Sequence, residues 1–155
     1  MLCLMTAGSL AEAVAAVRLA RRVGLPVCVS FTVETDGRLP TGVSLGEAIA
    51  KVDALTGAYA AYFGVNCAHP EHFMPALRAL ARDGVRRRVA SVRANASAKS
   101  HEELDRSEVL ERGDPAELGR LHRELKEVLP WVKVLGGCCG TDAEHVGEIA
   151  DCVLG

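Results

Sequence analysis

The sequence predicts an α/β protein built on a parallel sheet, and three observations support this prediction. Five short apolar or β-branched runs alternate with longer segments that open on helix-start signals. The apolar runs are continuous, which is typical of strands covered on both faces. Strands that alternate with helices pair in parallel through right-handed crossovers. Because no linker or shift in composition divides the chain, we expect a single domain over residues 1–155.

The apolar runs mark the predicted strands. They cover residues 2–6, 26–33, 59–67, 88–94 and 131–135. In a parallel sheet all carboxyl ends lie on one edge, where α/β folds hold their active sites. We therefore expect the residues at these ends to converge, and the polar ones are candidates for substrate binding. These candidates are Thr6, Thr32, Asn66 and Asn95.

Each predicted helix opens on a recognisable start signal. Ser9 and Glu12 form a capping-box pattern, and Ser44 and Glu47 repeat it. A proline at position 70 suits the first turn of the third helix. The predicted helices cover residues 9–23, 44–57, 70–83, 114–130 and 141–155. The polar stretch 95–113 is expected to be a long loop with a partial helical turn.

Composition excludes several classes of function. Hydrophobic residues make up 49% of the chain and charged residues 25%, which is ordinary for a soluble globular domain. The net charge is −2 with both signs interspersed, so electrostatics favour neither nucleic acid nor a membrane surface. No apolar stretch approaches the roughly 18 residues that span a bilayer. The expected location is the cytoplasm, where thiols stay reduced.

Three of the six cysteines lie in glycine-flanked segments that directly follow predicted strands. Cys67 ends the run Gly-Val-Asn-Cys, and Cys138 and Cys139 lie in Gly-Gly-Cys-Cys-Gly-Thr. Neighbouring residues of a regular strand point to opposite faces, so joint chelation by Cys138 and Cys139 needs the freedom that glycine provides. Three thiolates would hold zinc with one position open, the pattern of a catalytic site. Such a site suits a thiol substrate, which coordination deprotonates.

Two other interpretations of these cysteines stay open on residue chemistry alone. Free cysteine is among the most buried residue types, so the three could be structural thiols. A redox pair is a further alternative, although Cys138 and Cys139 do not form a Cys-x-x-Cys motif. The remaining cysteines sit among apolar neighbours and are expected to be simple core or surface thiols. They are Cys3, Cys28 and Cys152.

Histidine and asparagine side chains near the predicted edge have both a functional and a structural interpretation. His69 is either a ligand or proton-transfer group, or a polar contact at a helix start. Asn66 and Asn95 either serve the site or bind loop backbone. The other histidines have no motif and are expected on helix surfaces. They are His72, His101, His122 and His145.

At these residues the chain resembles the homocysteine S-methyltransferases. The matching segments are residues 26–32, 36–39, 64–67 and 136–141, and the resemblance spans nearly the whole length. It implies a (β/α)₈ barrel of the TIM type in which Zn²⁺ is held by Cys67, Cys138 and Cys139. The implied reaction transfers a methyl group from S-methylmethionine or S-adenosylmethionine to the sulfur of homocysteine and yields methionine.

Two features depart from the family pattern. The resemblance covers only about strands four to eight of the barrel, and a complete barrel typically needs about 250 residues. Many members also have a substrate-binding glutamate where this chain has Met5. We therefore expect a partial barrel that belongs to a longer product, associates with itself or pairs with another chain. The alternative to an active enzyme is a silent zinc-binding remnant or a subunit that needs a partner.

Overall fold

The computed structural model describes residues 1–80 and 84–155 and contains a five-stranded parallel sheet. Its strands lie in sequence order, β1-β2-β3-β4-β5, and every pairing is parallel. This confirms the predicted α/β class and parallel pairing. The strands are β1 Leu2–Ala7, β2 Val27–Phe31, β3 Tyr62–Asn66, β4 Val89–Ala94 and β5 Val134–Gly137.

The described residues form six α-helices, of which α1 to α5 lie between strands and α6 follows β5; all except α4 pack on one another in chain order. Helix α1 contacts α2, α2 contacts α3, α3 contacts α5, and α5 contacts α6. A sequential strand order with one continuous helical layer is the arrangement of a barrel wall, whereas a doubly wound sheet reverses its strand order. The helices are α1 Leu10–Arg22, α2 Leu45–Thr56, α3 Pro70–Ala79, α4 His101–Asp105, α5 Pro115–Val128 and α6 Ala143–Leu154.

The predicted helix starts are correct, but the capping boxes of α1 and α2 are only half formed. Ser9 and Ser44 each accept a backbone N–H at the third helical position. The glutamates do not return to the caps: Glu12 accepts from the Gly8 N–H, and Glu47 pairs with Lys51. The predicted end of the third helix falls on residues 81–83, which lie outside the described residues.

The hydrophobic core lies between the sheet and the helices. Phe31 and Phe63 stack with ring centroids 6.1 Å apart, and both are fully buried. The strand register places Val65 beside Phe31 and Val92 beside Val65 on the same face. At about 25 cal/mol per Å² of apolar area, this burial is the main force that holds the helices on the sheet.

The opposite face of the sheet has small and polar side chains. The register places Cys3, Cys28 and Tyr62 side by side across β1 to β3. Asn66 and Arg93 are paired nearer the carboxyl edge. Within the described residues, β1 and β5 each pair on one side only. The sheet therefore has two edges whose outer backbone groups form no strand pairing.

Two strands begin three residues later than predicted, β3 at Tyr62 and β5 at Val134. Strand β5 begins late because residues 129–132 form a turn in which Val132 N–H donates to Leu129 O. Trp131 is thereby free to donate its indole N–H to Val89 O at 3.0 Å. The polar stretch 95–113 contains the short helix α4, as predicted. Among the described residues, no helix is both long and apolar enough to cross a membrane.

Candidate metal centre

The structure brings the three predicted metal-ligand cysteines together. The Sγ atoms of Cys67, Cys138 and Cys139 all lie within 4.8 Å of one another. Cys67 follows the end of β3, and the other two follow the end of β5. The convergence predicted for the carboxyl edge is therefore present for all three sulfurs.

Glycines shape the loop that presents Cys138 and Cys139. Gly140 has φ of +79°, a left-handed conformation in which glycine is favoured because it lacks Cβ. The Cys138 N–H donates to Ala94 O at 2.7 Å, and the Cys138 carbonyl accepts from the Thr141 hydroxyl at 2.7 Å. These bonds hold a bend just after β5, and the bend lets two consecutive side chains reach the same point.

The backbone at Cys67 is also left-handed, although it is not a glycine. Its φ is +53°, a conformation that costs a non-glycine residue about 1 kcal/mol. Three hydrogen bonds stabilise it. The Cys67 N–H donates to Arg93 O at 3.1 Å, and the Cys67 carbonyl accepts from Thr32 Oγ1 at 3.2 Å. His101 Nε2 lies 2.6 Å from the same carbonyl.

Thr6 and Asn66, both predicted to bind substrate, bind each other. Asn66 Oδ1 accepts the Thr6 N–H at 2.9 Å, and Asn66 Nδ2 donates to Thr6 Oγ1 at 2.7 Å. Thr6 has φ of +57°, and its Oγ1 lies 3.9 Å from Cys67 Sγ. Together with Thr32, these residues use their polar atoms to hold the Cys67 loop. Their role in binding substrate stays a prediction.

Asn95 differs from the other predicted substrate-binding residues. Its Oδ1 accepts the Cys139 N–H at 3.2 Å, so it helps to fix the second ligand loop. Its Nδ2 makes no hydrogen bond to any described residue. Asn95 lines a cavity of about 300 Å³ beside Cys67 and Cys139. A donor is therefore available to a bound molecule.

His101 is a site residue that the sequence analysis missed. It was expected on a helix surface, but α4 places it between the Cys67 carbonyl and Glu34, with Nδ1 3.3 Å from the carboxylate. Burial lowers its pKa, but the hydrogen bond to Cys67 O and the Glu34 carboxylate outweigh burial and raise the pKa above its ordinary value. The only local sequence signal for this placement was that His101 lies within the Ser-x-x-Glu capping pattern of residues 100–103, which predicts a helix start.

Two further histidines correct the prediction of helix surfaces. His122 and His145 are fully buried. His122 Nδ1 lies 2.8 Å from Leu118 O, while its Nε2 has no partner among the described residues. His145 Nε2 lies 2.8 Å from Arg112 O, and its Nδ1 lies 2.8 Å from Asp142. Both rings stabilise the helical layer and lie outside the sulfur cluster.

His69, the other candidate histidine, caps α3. Its Nδ1 accepts the Glu71 N–H at 3.4 Å, and the side chain is almost completely buried. Burial lowers its pKa, and the nearby Glu71 carboxylate opposes this effect only partly. His69 is not a member of the sulfur cluster. The structural interpretation as a helix-start contact therefore fits its position.

The sulfur cluster could hold a divalent soft metal ion. A tetrahedral zinc ion has Zn–S bonds of about 2.3 Å, which place its sulfurs about 3.8 Å apart, within the span of this cluster. The structure joins Cys67 and Cys138 as a disulfide, with Cα atoms 5.5 Å apart, so this pair must be reduced before both sulfurs can bind an ion. The donor set fits zinc, because three cysteine sulfurs are soft ligands and leave a fourth position. A cavity of about 300 Å³ lies beside Cys67 and Cys139.

Comparison with known proteins identifies the family. The sequence profile of the family described as homocysteine S-methyltransferase matches residues 1–153. The methionine synthase of Mycobacterium leprae (strain TN) is 34% identical in an alignment 138 residues long, which covers 83% of this chain and 10% of that protein. The crystal structure of the homocysteine methyltransferase MmuM from Escherichia coli, oxidized form, aligns with a TM-score of 0.69 at 20% identity, over 97% of this chain and 44% of that chain. This chain spans less than half of either protein and belongs to the homocysteine S-methyltransferase family.

Proposed function

We propose that this chain provides the thiolate site of a zinc-dependent methyltransferase acting on homocysteine. The donor would be a sulfonium compound, S-methylmethionine or S-adenosylmethionine, and the product methionine. The main support is the cluster of three sulfurs at the carboxyl edge of the sheet, within 4.8 Å of one another. Membership in the family supports homocysteine as the acceptor. We assign the five strands to positions four to eight of a barrel, with residues 1–155 as a partial barrel domain.

Cys67, Cys138 and Cys139 would hold the ion and leave one position for the substrate sulfur. The ion supplies one chemical effect, which is to lower the pKa of the substrate thiol so that its sulfur is a thiolate near neutral pH. Thr32 and His101 fix the Cys67 loop through its carbonyl. Asn95 fixes the Cys139 loop. These contacts would keep the three cysteines in place when a substrate enters the cavity.

The proposed reaction is a substitution at the methyl carbon. The acceptor sulfur forms a new bond to this carbon while the bond from the carbon to the donor sulfur breaks. The electron pair of the broken bond stays on the donor sulfur, which becomes a neutral thioether, and the thiol proton of the acceptor is released to solvent. Alignment of the two reactants is the main contribution required of the protein.

Zinc analysis combined with an activity assay tests this proposal. We expect about one zinc per chain and methionine formation from homocysteine and S-methylmethionine. The Cys138→Ser variant should bind zinc at least about tenfold more weakly and lose turnover. Cys152→Ser is the matched control, because Cys152 is a free thiol on α6 outside the cluster. A Cys138→Ser variant with full zinc content and turnover would contradict the ligand assignment.

A zinc-binding subunit that needs a partner is a second candidate, and the sheet edges favour it. Strands β1 and β5 pair on one side only within the described residues. Apolar side chains flank the β5 edge, where a cavity of about 390 Å³ includes Leu135 and Leu154. Unpaired edges beside apolar surface are sites of association.

Measurement of molar mass in solution discriminates the two candidates. Multi-angle light scattering after size exclusion gives the oligomeric state, and the same fractions are assayed for zinc and turnover. A monomer with bound zinc and turnover would support the enzyme and refute the need for a partner. Bound zinc without turnover, restored by a polypeptide that supplies the remaining barrel strands, would support the subunit.

A further inference from the structure

The sheet face opposite the helical layer, which we call the inner face, carries the side chain of Arg93 close to the candidate metal centre. Arg93 pairs with Asn66, the residue directly before Cys67. The Arg93 backbone is therefore one residue, or about 3.3 Å along the strand, from the level of the first cysteine ligand. Neighbouring residues of a strand point to opposite faces, and Val92 is buried in the core on the helical side. The side chain of Arg93 thus belongs to the inner face.

The guanidinium group of Arg93 reaches across the inner face towards β1. Its Nη1 donates to Met5 Sδ at 3.5 Å. Because β2 and β3 lie between β1 and β4, the two side chains can meet only above those strands. The β1–β2 register leaves Met5 and Thr6 opposite Ser30, and Ser30 pairs with Gly64 on β3. The guanidinium group therefore lies over the inner face near the level of Ser30.

Arg93 has no anionic partner within the described residues. A guanidinium group offers five N–H donors, whereas the thioether sulfur of Met5 is a weak acceptor. The Arg93 side chain is half-buried, and a buried charge is costly unless it is paired. The five described strands contain no aspartate or glutamate, and Arg93 is their one basic residue. The strands thus present a positive charge on the inner face and supply no counter-ion.

Two ionisable groups on the inner face, Cys28 and Tyr62, interact with Arg93 but do not provide the missing negative charge. Burial raises the pKa of the Cys28 thiol, and burial also raises the pKa of the Tyr62 phenol. Both groups are therefore neutral near pH 7, although the positive charge of Arg93 opposes both shifts. An anion bound by Arg93 is accordingly expected from a ligand.

A buried hydroxyl group lies on the same part of the inner face. Ser30 is 3% exposed, and its Oγ has no hydrogen-bond partner among the described residues. A Cβ added at Gly64 would lie 3.2 Å from this Oγ, so the hydroxyl group is directed towards β3 across the inner face. Buried hydroxyl groups nearly always have a partner, which is a protein group, a water molecule or a ligand. Ser30 and Arg93 therefore offer two donors at the same level of the sheet.

A carboxylate is the anion that fits these two donors. The planar guanidinium group binds both oxygens of a carboxylate in a bidentate pair, and a hydroxyl group can donate to one of the same oxygens. In the proposed function the acceptor sulfur takes the position left open by the three cysteines. A carboxylate a few carbon atoms from that sulfur would extend from the metal centre onto the inner face, towards Arg93. A positively charged group finds no carboxylate in the strands there and is repelled by the guanidinium group.

We infer that Arg93 and Ser30 form a carboxylate-binding subsite for the acceptor, so that this chain selects a thiol by its carboxylate group and not by an ammonium group. This inference rests on the proposed function and specifies the class of acceptor. Homocysteine carries such a carboxylate, and so does the corresponding thiol that lacks the amino group. Arg93 binds and orients the acceptor and takes no part in bond making. Because the Arg93 carbonyl also accepts the Cys67 N–H at 3.1 Å, the subsite and the first ligand loop are fixed to each other.

Calorimetric titration of the reduced, zinc-loaded 155-residue chain with two matched thiols tests this inference. The acid γ-mercaptobutyrate and its amide have the same length, and only the acid carries a negative charge. We expect the wild type to bind the acid at least about tenfold more tightly, because its hydrogen bonds to Arg93 are charge-assisted. Arg93→Met should lose about ten- to hundredfold in affinity for the acid and less than about threefold for the amide. Arg93→Lys should fall between the wild type and Arg93→Met, because lysine keeps the charge but not the planar fork.

Arg22→Met is the matched control, because Arg22 is exposed on α1, on the helical side of the sheet. It should leave both affinities unchanged. Met5→Glu is a second test, since it places a carboxylate within reach of the guanidinium group. This variant should lose the preference for the acid while its zinc content stays the same.

The wild type should also bind homocysteine no more tightly than γ-mercaptobutyrate. Equal affinities for the acid and the amide in the wild type, an equal loss for both in Arg93→Met, or tighter binding of homocysteine would overturn the inference. The wild-type comparisons need no variant, so they decide the question even where a substitution disturbs folding. Turnover without a preference for the carboxylate rejects this inference alone, whereas carboxylate-selective thiol binding without turnover rejects the proposed function alone.

Discussion

Removal of the Asn66 amide should weaken both the fold and the metal centre. Asn66 is 2% exposed and makes two hydrogen bonds to Thr6, at 2.9 and 2.7 Å. Each such bond contributes about 1 kcal/mol net, and loss of a buried partner adds a desolvation cost. Because Thr6 is itself exposed, water can replace part of what is lost. The Asn66→Ala variant should therefore lose about 2 kcal/mol of unfolding free energy, measured by urea denaturation.

The metal effect follows from the position of Asn66 directly before Cys67. Without the amide, nothing holds Thr6 in its left-handed conformation, and the contact between Thr6 Oγ1 and Cys67 Sγ should be lost. Residues that orient metal ligands typically contribute 10–100-fold to metal affinity. We expect zinc affinity, measured by competition with a chromophoric chelator, to fall about tenfold.

Asn95 is the matched control, since it is the second of two asparagines in the chain and, like Asn66, lies at the carboxyl end of a strand. Its side chain makes a single bond, to the Cys139 N–H at 3.2 Å, so Asn95→Ala should cost about half as much stability. A double-mutant cycle of Asn66→Ala with Thr6→Ala should return a coupling near 1 kcal/mol. Coupling near zero, or Asn66→Ala with unchanged stability and zinc affinity, would refute the reasoning.

Three other predictions concern the helical layer and the sheet. Burial lowers the pKa of His122. The free energy of unfolding should therefore be constant above the unfolded-state pKa of about 6.5 and fall as the pH drops below it. Urea unfolding from pH 8 to 5 should show a smaller change of unfolding free energy with pH in His122→Leu than in the wild type. A Cβ at Gly64 would lie 2.8 Å from a backbone oxygen of β4, so Gly64→Ala should lower the free energy of unfolding by about 1–3 kcal/mol. A Cβ at Gly147 on α6 would meet open space, so Gly147→Ala should raise it by about 0.5–1 kcal/mol in the same assay. Arg88→Ala breaks the half-buried ion pair with Asp53 on α2 and should lower the free energy of unfolding by about 1.5–3 kcal/mol. Arg78→Ala removes the exposed pair with Glu124 and should lower it by less than about 0.5 kcal/mol. Equal losses in the two variants would contradict this account.

The sequence predicted those features that depend on local chemistry. The alternation of apolar runs and helix starts predicted five parallel strands, because strand and helix signals are set within a few residues. The cysteine segments predicted a cluster, because parallel strands place their carboxyl ends on one edge. Glycine at 140 was correctly interpreted as a source of backbone freedom, since its φ is +79°.

Features that depend on tertiary contact were missed. The burial of His122 and His145 is caused by the packing of α5 against α6, which no local pattern records. His101 reaches the Cys67 carbonyl because the chain after β4 folds back over the carboxyl edge of the sheet, and the two residues are 34 positions apart in sequence. Strand β5 was placed too early because Trp131 looks like a strand residue, whereas its indole is bound to β4 from a turn.

Strand β4 lies between the two strands that carry the clustered cysteines, and it determines how close their sulfurs come. Strands β3 and β5 are separated by β4, so at about 4.8 Å per strand their axes are about 10 Å apart. Yet the Cα atoms of Cys67 and Cys138 are only 5.5 Å apart. Both loops bend inward over the end of β4, where Cys67 N–H donates to Arg93 O and Cys138 N–H donates to Ala94 O. Because these acceptors are backbone carbonyls, the spacing of the cysteine sulfurs depends on the register of β4. Side-chain substitutions in that strand should alter this spacing only when they shift the register.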